Sequence, residues 1–213
     1  VLACAIVAPG SAVAGTVGAD GAQAGAGSRQ GANDTDAAEQ AARDAQAAAT
    51  GDPAALDRLM SSAEAGAVQA QFRLGVLYKD GKGVPRDMAR YALWMRKAAE
   101  QGLAAAQVRL IGLYEEGVGV AKDPGQAAQW ALRAAEQGEL AGQVALVTDY
   151  YYGRGVPRNL VEAIKWQAVL EQSGYATPGD EFSRALEDSA GPVQAAQGRA
   201  LAREWLQAYR ARK

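Results

Sequence analysis

Between Ala67 and Gly174 the apolar positions fall on two alternating helical stripes that recur every 36 residues. In the first stripe Ala70, Leu74, Leu77 and Tyr78 stand at i, i+4, i+7 and i+8, which lines one face of an α-helix. Gly81-Lys82-Gly83-Val84-Pro85 then breaks the pattern, because glycine reaches positive φ at little cost and proline stiffens the exit. The second stripe, Tyr91, Trp94, Met95 and Ala98, marks a second helix. Asp87, Asp123 and Asn159 stand where that helix needs an N-cap, and Pro124 occupies N1.

Three blocks follow one another without a gap: repeat 1 at 67–102, repeat 2 at 103–138 and repeat 3 at 139–174. Eight columns are identical in all three. Four belong to the first helix and the start of the loop: Gln71, Gln107 and Gln143; Leu74, Leu110 and Leu146; Tyr78, Tyr114 and Tyr150; and Gly81, Gly117 and Gly153. The other four are Gly83, Gly119 and Gly155; Val84, Val120 and Val156; Trp94, Trp130 and Trp166; and Gly102, Gly138 and Gly174. Repeats 1 and 2 share 17 of 36 positions, an ungapped agreement that marks a stacked repeat architecture. Ala70 and Ala106 are small enough for close helix approach, and the tryptophans are large anchors. Gly102, Gly138 and Gly174 are expected to end the second helices in left-handed geometry.

The flanks have the looser pattern of end units, which a solenoid needs to stop stacking. Residues 35–66 are expected to form an N-terminal capping helix pair, with Asp36-Ala37-Ala38-Glu39 as a capping box and Asp52-Pro53 opening the second helix. Residues 175–213 read as a degenerate repeat and capping helix. Phe182 falls in the Leu column, Leu186 in the Tyr column, and Pro192 opens a last helix with Val193, Leu201, Trp205, Leu206 and Tyr209.

Ala-x-x-x-Leu-Gly-x-x-Tyr at 70–78, Gly-x-Gly-Val at 81–84 and Ala-x-Trp with Ala-Ala-Glu-Gln-Gly at 92–102 resemble the Sel-1-like repeat, a relative of the tetratricopeptide repeat. The fold class this gives is all-α: an α/α superhelical solenoid of helix-loop-helix repeats with N- and C-terminal capping helices. The resemblance implies a protein adaptor, often of bacterial envelopes, and no reaction. The chain departs from the pattern where Ile111 and Val147 replace Gly75, and at Gly142, Asp149 and Leu170-Glu171. These departures put the packing of repeat 3 in question.

Composition narrows the function. The chain has no histidine, which removes the commonest general base and metal ligand. Its net charge of −2 comes without a basic run, so nucleic acid is not an expected partner. The single cysteine, Cys4, cannot form an internal disulfide. Val1 to Ala8 is apolar and Ala12-Val13-Ala14 follows, so residues 1–14 read as the residue of a secretory signal peptide cleaved after Ala14, lacking its basic start. Val1-Leu2-Ala3-Cys4 also resembles a lipobox, in which case Cys4 is lipidated and the chain is anchored in the envelope. A membrane helix or a disordered tail would also account for the apolar run. Residues 15–34, rich in Gly and Ala, read as a flexible linker. A periplasmic or secreted location is expected, and the chain is expected to be a monomer.

Catalytic chemistry finds little footing. Glu115 and Glu116 are adjacent on one helix and diverge, so they do not form an acid/base pair. The serines have no His partner. The Gly-x-Gly loops lack a preceding strand and the Gly-Lys-Ser/Thr ending of a phosphate loop. No cofactor and no metal are expected, and the chain is not expected to be an enzyme.

The expected function is a non-catalytic scaffold that binds a protein or peptide segment. The resemblance implies that the first helices line a concave groove. This places Gln69, Phe72, Arg73, Val76, Lys79 and Asp80 on it, then Arg109, Gly112, Glu115 and Glu116, then Thr148, Tyr151 and Tyr152. These columns vary between blocks, as a surface reading a non-repeating partner does. Tyr151 and Tyr152 combine area with a polar tip; against this, Tyr152 could pack under the Gly153 loop. The second candidate is a binder of cell-wall or exopolysaccharide glycans through exposed aromatics, with Trp94, Trp130 and Trp166 as stacking platforms or, against that, as core.

Overall fold

The computed structural model describes the backbone of residues 24–212 and the side chains of residues 35–212. The leader at 1–14, Cys4 and linker residues 15–23 lie outside the described residues. Two compact units are present, one ending at Asp36 and the other spanning Ala37–Lys213. Ten α-helices and no strand occur among the described residues. They are α1 (Ala24–Ala49), α2 (Pro53–Glu64), α3 (Val68–Asp80), α4 (Met88–Glu100), α5 (Ala104–Glu116), α6 (Pro124–Glu136), α7 (Leu140–Tyr152), α8 (Leu160–Gln172), α9 (Glu181–Ala190) and α10 (Pro192–Ala211). No described helix is long and apolar enough to cross a membrane.

Two N-terminal expectations are corrected. Residues 24–34, assigned by composition to a flexible linker, are helical, and Asp36 lies inside α1 instead of capping it. Alanine has the highest helix propensity of any residue, and four alanines stand between 37 and 42, so nothing in this stretch stops a helix that has already begun.

From α2 onward each helix packs on its chain neighbours, and the three repeats are the pairs α3/α4, α5/α6 and α7/α8. The helix starts are set by the capping side chains. Asp52 accepts hydrogen bonds from the amides of Ala54 and Ala55, Asp87 from Arg90, Asp123 from Gln126, and Asn159 from Val161 and Glu162. The first loop glycines, Gly81, Gly117 and Gly153, end the first helices at φ 69, 75 and 71. The Gly117 amide donates to the Leu113 carbonyl at 2.9 Å and so closes the last turn of α5. The second loop glycines have a different task. A Cβ at Gly83, Gly119 or Gly155 would collide with the carbonyl of Ala48, Met88 or Pro124 respectively, so each loop rests directly on the preceding unit's backbone.

The stripes form one continuous core. Ala70, Leu74, Leu77 and Tyr78 are buried, as are Tyr91, Trp94, Met95 and Ala98, and Trp130 and Trp166 with them. Leu110 and Leu146 are buried with Leu74, so the whole Leu column is core. The Tyr column divides. Tyr78 and Tyr114 are buried, and their hydroxyls accept hydrogen bonds from Arg90 at 3.0 Å and Arg96 at 2.7 Å. Tyr150 departs from the column and is half-buried. The positions equivalent to Arg90 and Arg96 are there Glu162 and Leu132, neither of which brings a guanidinium to the phenol.

Each indole also carries a cation on its face: Lys97 lies 4.4 Å from the Trp94 ring centre, Arg133 4.6 Å from Trp130 and Lys165 4.7 Å from Trp166. Two of the departures in repeat 3 are accounted for by packing. Val147 is buried, and Gly142 is required because a Cβ there would sit 2.6 Å from the Ala131 carbonyl.

At the C-terminal end α10 packs along α8 through Ala195, Gly198, Ala202 and Leu206, all buried. Val193, expected on this apolar face, is exposed, because the contact face of α10 begins two residues later. Phe182 is likewise exposed, and Ser183 takes the buried position beside it. Trp205 meets Trp166 edge-on at 5.3 Å and stacks on Tyr209 at 4.9 Å. The Tyr209 hydroxyl donates to the Gln137 carbonyl at 3.1 Å.

Candidate partner-binding site

Two adjoining depressions lie between repeats 2 and 3. The first is a groove of about 520 Å³ between the first helices α5 and α7. Its walls are Val108, Ile111, Gly112 and Glu115 from α5 and Leu140, Ala141, Val144 and Ala145 from α7. Leu140 and Val144 are 36% and 48% exposed, large for apolar side chains on a packed helix. They leave an apolar surface without an intramolecular partner.

The second is a cavity of about 420 Å³ lined by Glu115, Lys122, Pro124, Ala127, Asp149, Arg154 and Gly155. Glu115 lines both. Asp149 is only 5% exposed and its carboxylate makes no hydrogen bond among the described residues. Burial pushes its carboxyl up from 3.8 to about 6, the negative charge of Glu115 adds to the rise, and Arg154 opposes it. The Arg154 guanidinium lies over the Tyr152 ring, 4.8 Å from its centre.

Of the residues assigned to the groove from sequence, Glu115 and Gly112 line it. Gln69, Phe72, Arg73 and Val76 are half-buried on α3, with Phe72 packed against the core, and Lys79 and Asp80 are exposed at its end. Arg109 and Glu116 are placed on α5 but line neither depression. Thr148 is half-buried with its hydroxyl donating to the Ala145 carbonyl. Tyr151 packs on Phe182 at 5.8 Å and against a small core of Ala163, Ile164, Leu186 and Ala195. Tyr152 is exposed, covered on one face by Arg154 and not tucked under the loop.

Of the repeat anchors, Gly155 lines the cavity. Leu110, Tyr114, Gly117 and Leu146 line neither depression and serve the frame that holds α5 and α7 in place. Val108, Leu140, Val144 and Asp149 were not singled out for binding from sequence. For Asp149 the signal is in the repeat register: its column is Leu77 and Leu113 in the two earlier blocks.

The three repeat tryptophans are buried, which removes them as platforms for a stacked sugar. Their fixed phase on the apolar stripe places them in the core.

Comparison with known proteins gives a consistent family assignment. The family model described as Sel1 repeat matches residues 68–103, 104–139 and 143–166. A Sel1 repeat protein from Oxalobacter formigenes is 36% identical, with a TM-score of 0.50, over 62% of this chain and 97% of that one. A protective antigen present in uropathogenic Escherichia coli strains, displaying an SLR fold, is 30% identical with a TM-score of 0.53. That match covers 73% of this chain and 41% of the antigen, so the chain spans about two fifths of the antigen's length. No curated protein matches the chain.

Proposed function

The chain belongs to the Sel1 repeat family, whose members are generally protein-interaction scaffolds, and we propose that it is a non-catalytic adaptor that binds a protein or peptide segment along its first helices. The observation that carries this reading is the α5–α7 groove with its exposed Leu140 and Val144. Burying such side chains on a partner gives association its main favourable term, about 25 cal/mol per Å² of apolar area before the costs of ordering are subtracted. The groove supplies a recognition surface of apolar side chains.

The apolar run before Ala14 supports a periplasmic or secreted location, with a lipid anchor at Cys4 as the other form of the same route. Intact-mass measurement of the mature protein from its native host separates them. A mass starting at Gly15 is expected, and a retained leader contradicts export by cleavage.

The binding reading is tested by placing a photo-cross-linking amino acid at Val144 or at Leu93. Leu93 is as exposed as Val144 but lies on the second helix α4. A defined adduct at position 144 and none at 93 is expected. Adducts at 93 alone, or equal adducts at both, would remove the first-helix groove as the binding surface.

A further inference from the structure

The junction between repeats 2 and 3 differs from the one before it at six of its seven lining positions: Glu115 and Lys122 stand where the earlier junction has Lys79 and Arg86, and four further positions change in size or polarity. Thirty-six residues before Pro124, Ala127, Asp149 and Arg154 stand Met88, Tyr91, Leu113 and Val118. Tyr91 and Leu113 are buried there, and Met88 and Val118 pack against the same core. The earlier junction is therefore filled by a phenol ring and three apolar side chains. In the later one alanine replaces the ring and a carboxylate replaces the leucine, and the cavity of about 420 Å³ opens.

That cavity holds a largely buried carboxylate with no hydrogen-bond donor on it among the described residues. Asp149 is at least nine-tenths buried, lines the space and has no hydrogen-bond partner among the described residues. A buried charge calls for a partner that both donates hydrogen bonds and carries the opposite charge. Glu115 adds a second carboxylate on the groove side. Arg154 does not close the account, since its guanidinium is held over Tyr152 and burial still dominates at Asp149. Among the described residues no three Cys, Asp or Glu side chains converge to hold a metal ion.

We propose that the cavity receives one basic side chain, lysine or arginine, of a peptide segment lying in the α5–α7 groove, its cationic head bonding to Asp149 and Glu115. The inference rests on the peptide-adaptor reading and specifies what that adaptor selects. Apolar neighbours of the basic residue cover Leu140 and Val144. Lys122 and Arg154 at the cavity wall repel a second positive charge, so a lone basic residue among apolar ones fits better than a basic run. The charged groups facing Asp149 are Glu115 at the end of α5, Lys122 in the loop before α6 and Arg154 in the loop after α7; α6 contributes only Pro124 and Ala127. Binding is strongest with Asp149 ionised and weakens on acidification from about pH 7.5 to about pH 5.

The probe is a phage-displayed random dodecapeptide library selected on the full chain near neutral pH. Enriched peptides are then synthesised with a fluorophore and titrated against wild type, Asp149→Asn and the pair Ala127→Tyr/Asp149→Leu. The pair rebuilds the earlier junction, whereas Asp149→Asn keeps the shape and removes the charge. The expected result is a shared Lys or Arg next to apolar residues and at least about tenfold weaker binding to both variants. Changing that basic residue to Met should weaken binding to wild type by more than it weakens binding to Asp149→Asn, which keeps Glu115. Peptides without a shared basic residue, or equal affinity for wild type and Asp149→Asn, would overturn the inference and leave the adaptor reading standing. Failure of the folded chain to enrich any peptide would overturn both.

Discussion

Gln101 donates from Nε2 to Oε1 of Gln71 at 2.8 Å, and one repeat later Gln137 does the same to Gln107 at 2.8 Å. Each acceptor also donates backwards, Gln71 to the Ala63 carbonyl and Gln107 to Ala99. The ladder uses the buried amides of Gln71 and Gln107, each met by an exposed glutamine, to bind the last turn of one unit, the first helix of the next and that helix's own pair partner. It stops at repeat 3, where Ser173 replaces the donor and the Gln143 side chain makes no hydrogen bond among the described residues. Gln107→Met should therefore destabilise the fold by about 1–2 kcal/mol, the net worth of the two hydrogen bonds it removes. Gln143→Met, in the same column, should change stability by less than about 0.5 kcal/mol, the range of a change that removes no bond. Urea unfolding of the two variants distinguishes them.

The two glycine classes respond differently to a methyl group. Gly102 has φ +92 and open space around it, so Gly102→Ala should cost only the conformational penalty of about 1–2 kcal/mol. Gly119 has φ +71 and faces the Met88 carbonyl, so Gly119→Ala adds a backbone collision and should cost several times as much. Thermal unfolding of both variants gives the comparison, and equal losses would mean that the loops do not rest on the preceding repeat.

Asp149 makes stability depend on pH in a predictable direction. Its folded-state value near 6 lies above the ordinary 3.8, so the folded chain binds the proton more tightly. The stability this contributes is full below about pH 3.8 and is lost as pH rises through about 6. The rise corresponds to about 2–3 kcal/mol against the fold at neutral pH. Asp149→Leu should stabilise the protein by about that amount at about pH 7.5 and by roughly half of it at about pH 5. Chemical denaturation at the two pH values measures it.

The C-terminal cap is held by ring stacking. Trp205 sits between the buried Trp166 and Tyr209, and the Tyr209 hydroxyl reaches back to repeat 2. Trp205→Ala should cost about 3 kcal/mol, within the range for deleting a large packed aromatic. Exposure of the α8 face should promote self-association. Differential scanning calorimetry and light scattering on the variant report the two effects.

The solenoid was legible because its determinants are local and repeated. The helix stripe, the N-cap at Asp87, Asp123 and Asn159, and the Gly-x-Gly break each depend on residues close together in the chain. The Leu and Trp columns were legible as core from their phase alone. The Tyr column was legible only in part, since the burial of Tyr78 and Tyr114 goes with arginines that Tyr150 lacks. The ends were harder: α1 starts earlier than its capping-box pattern indicates, and the face of α10 depends on where α8 lies, which no local pattern states for Val193. The site was the hardest part. Leu140 and Val144 read as ordinary apolar positions until the packing leaves them uncovered. Asp149 stood out as a break in a leucine column, but that it borders a cavity follows only from Ala127 being opposite it.

The most direct test of peptide binding at the α5–α7 groove is backbone amide chemical-shift mapping of the ¹⁵N-labelled chain with a selected peptide. The largest shifts are expected on Gly112, Glu115, Val144, Asp149 and Arg154, and for Asp149→Asn they should need about tenfold more peptide to reach the same size. Shifts confined to the outer residues of α4, α6 and α8, with these amides unmoved, would contradict binding in the groove.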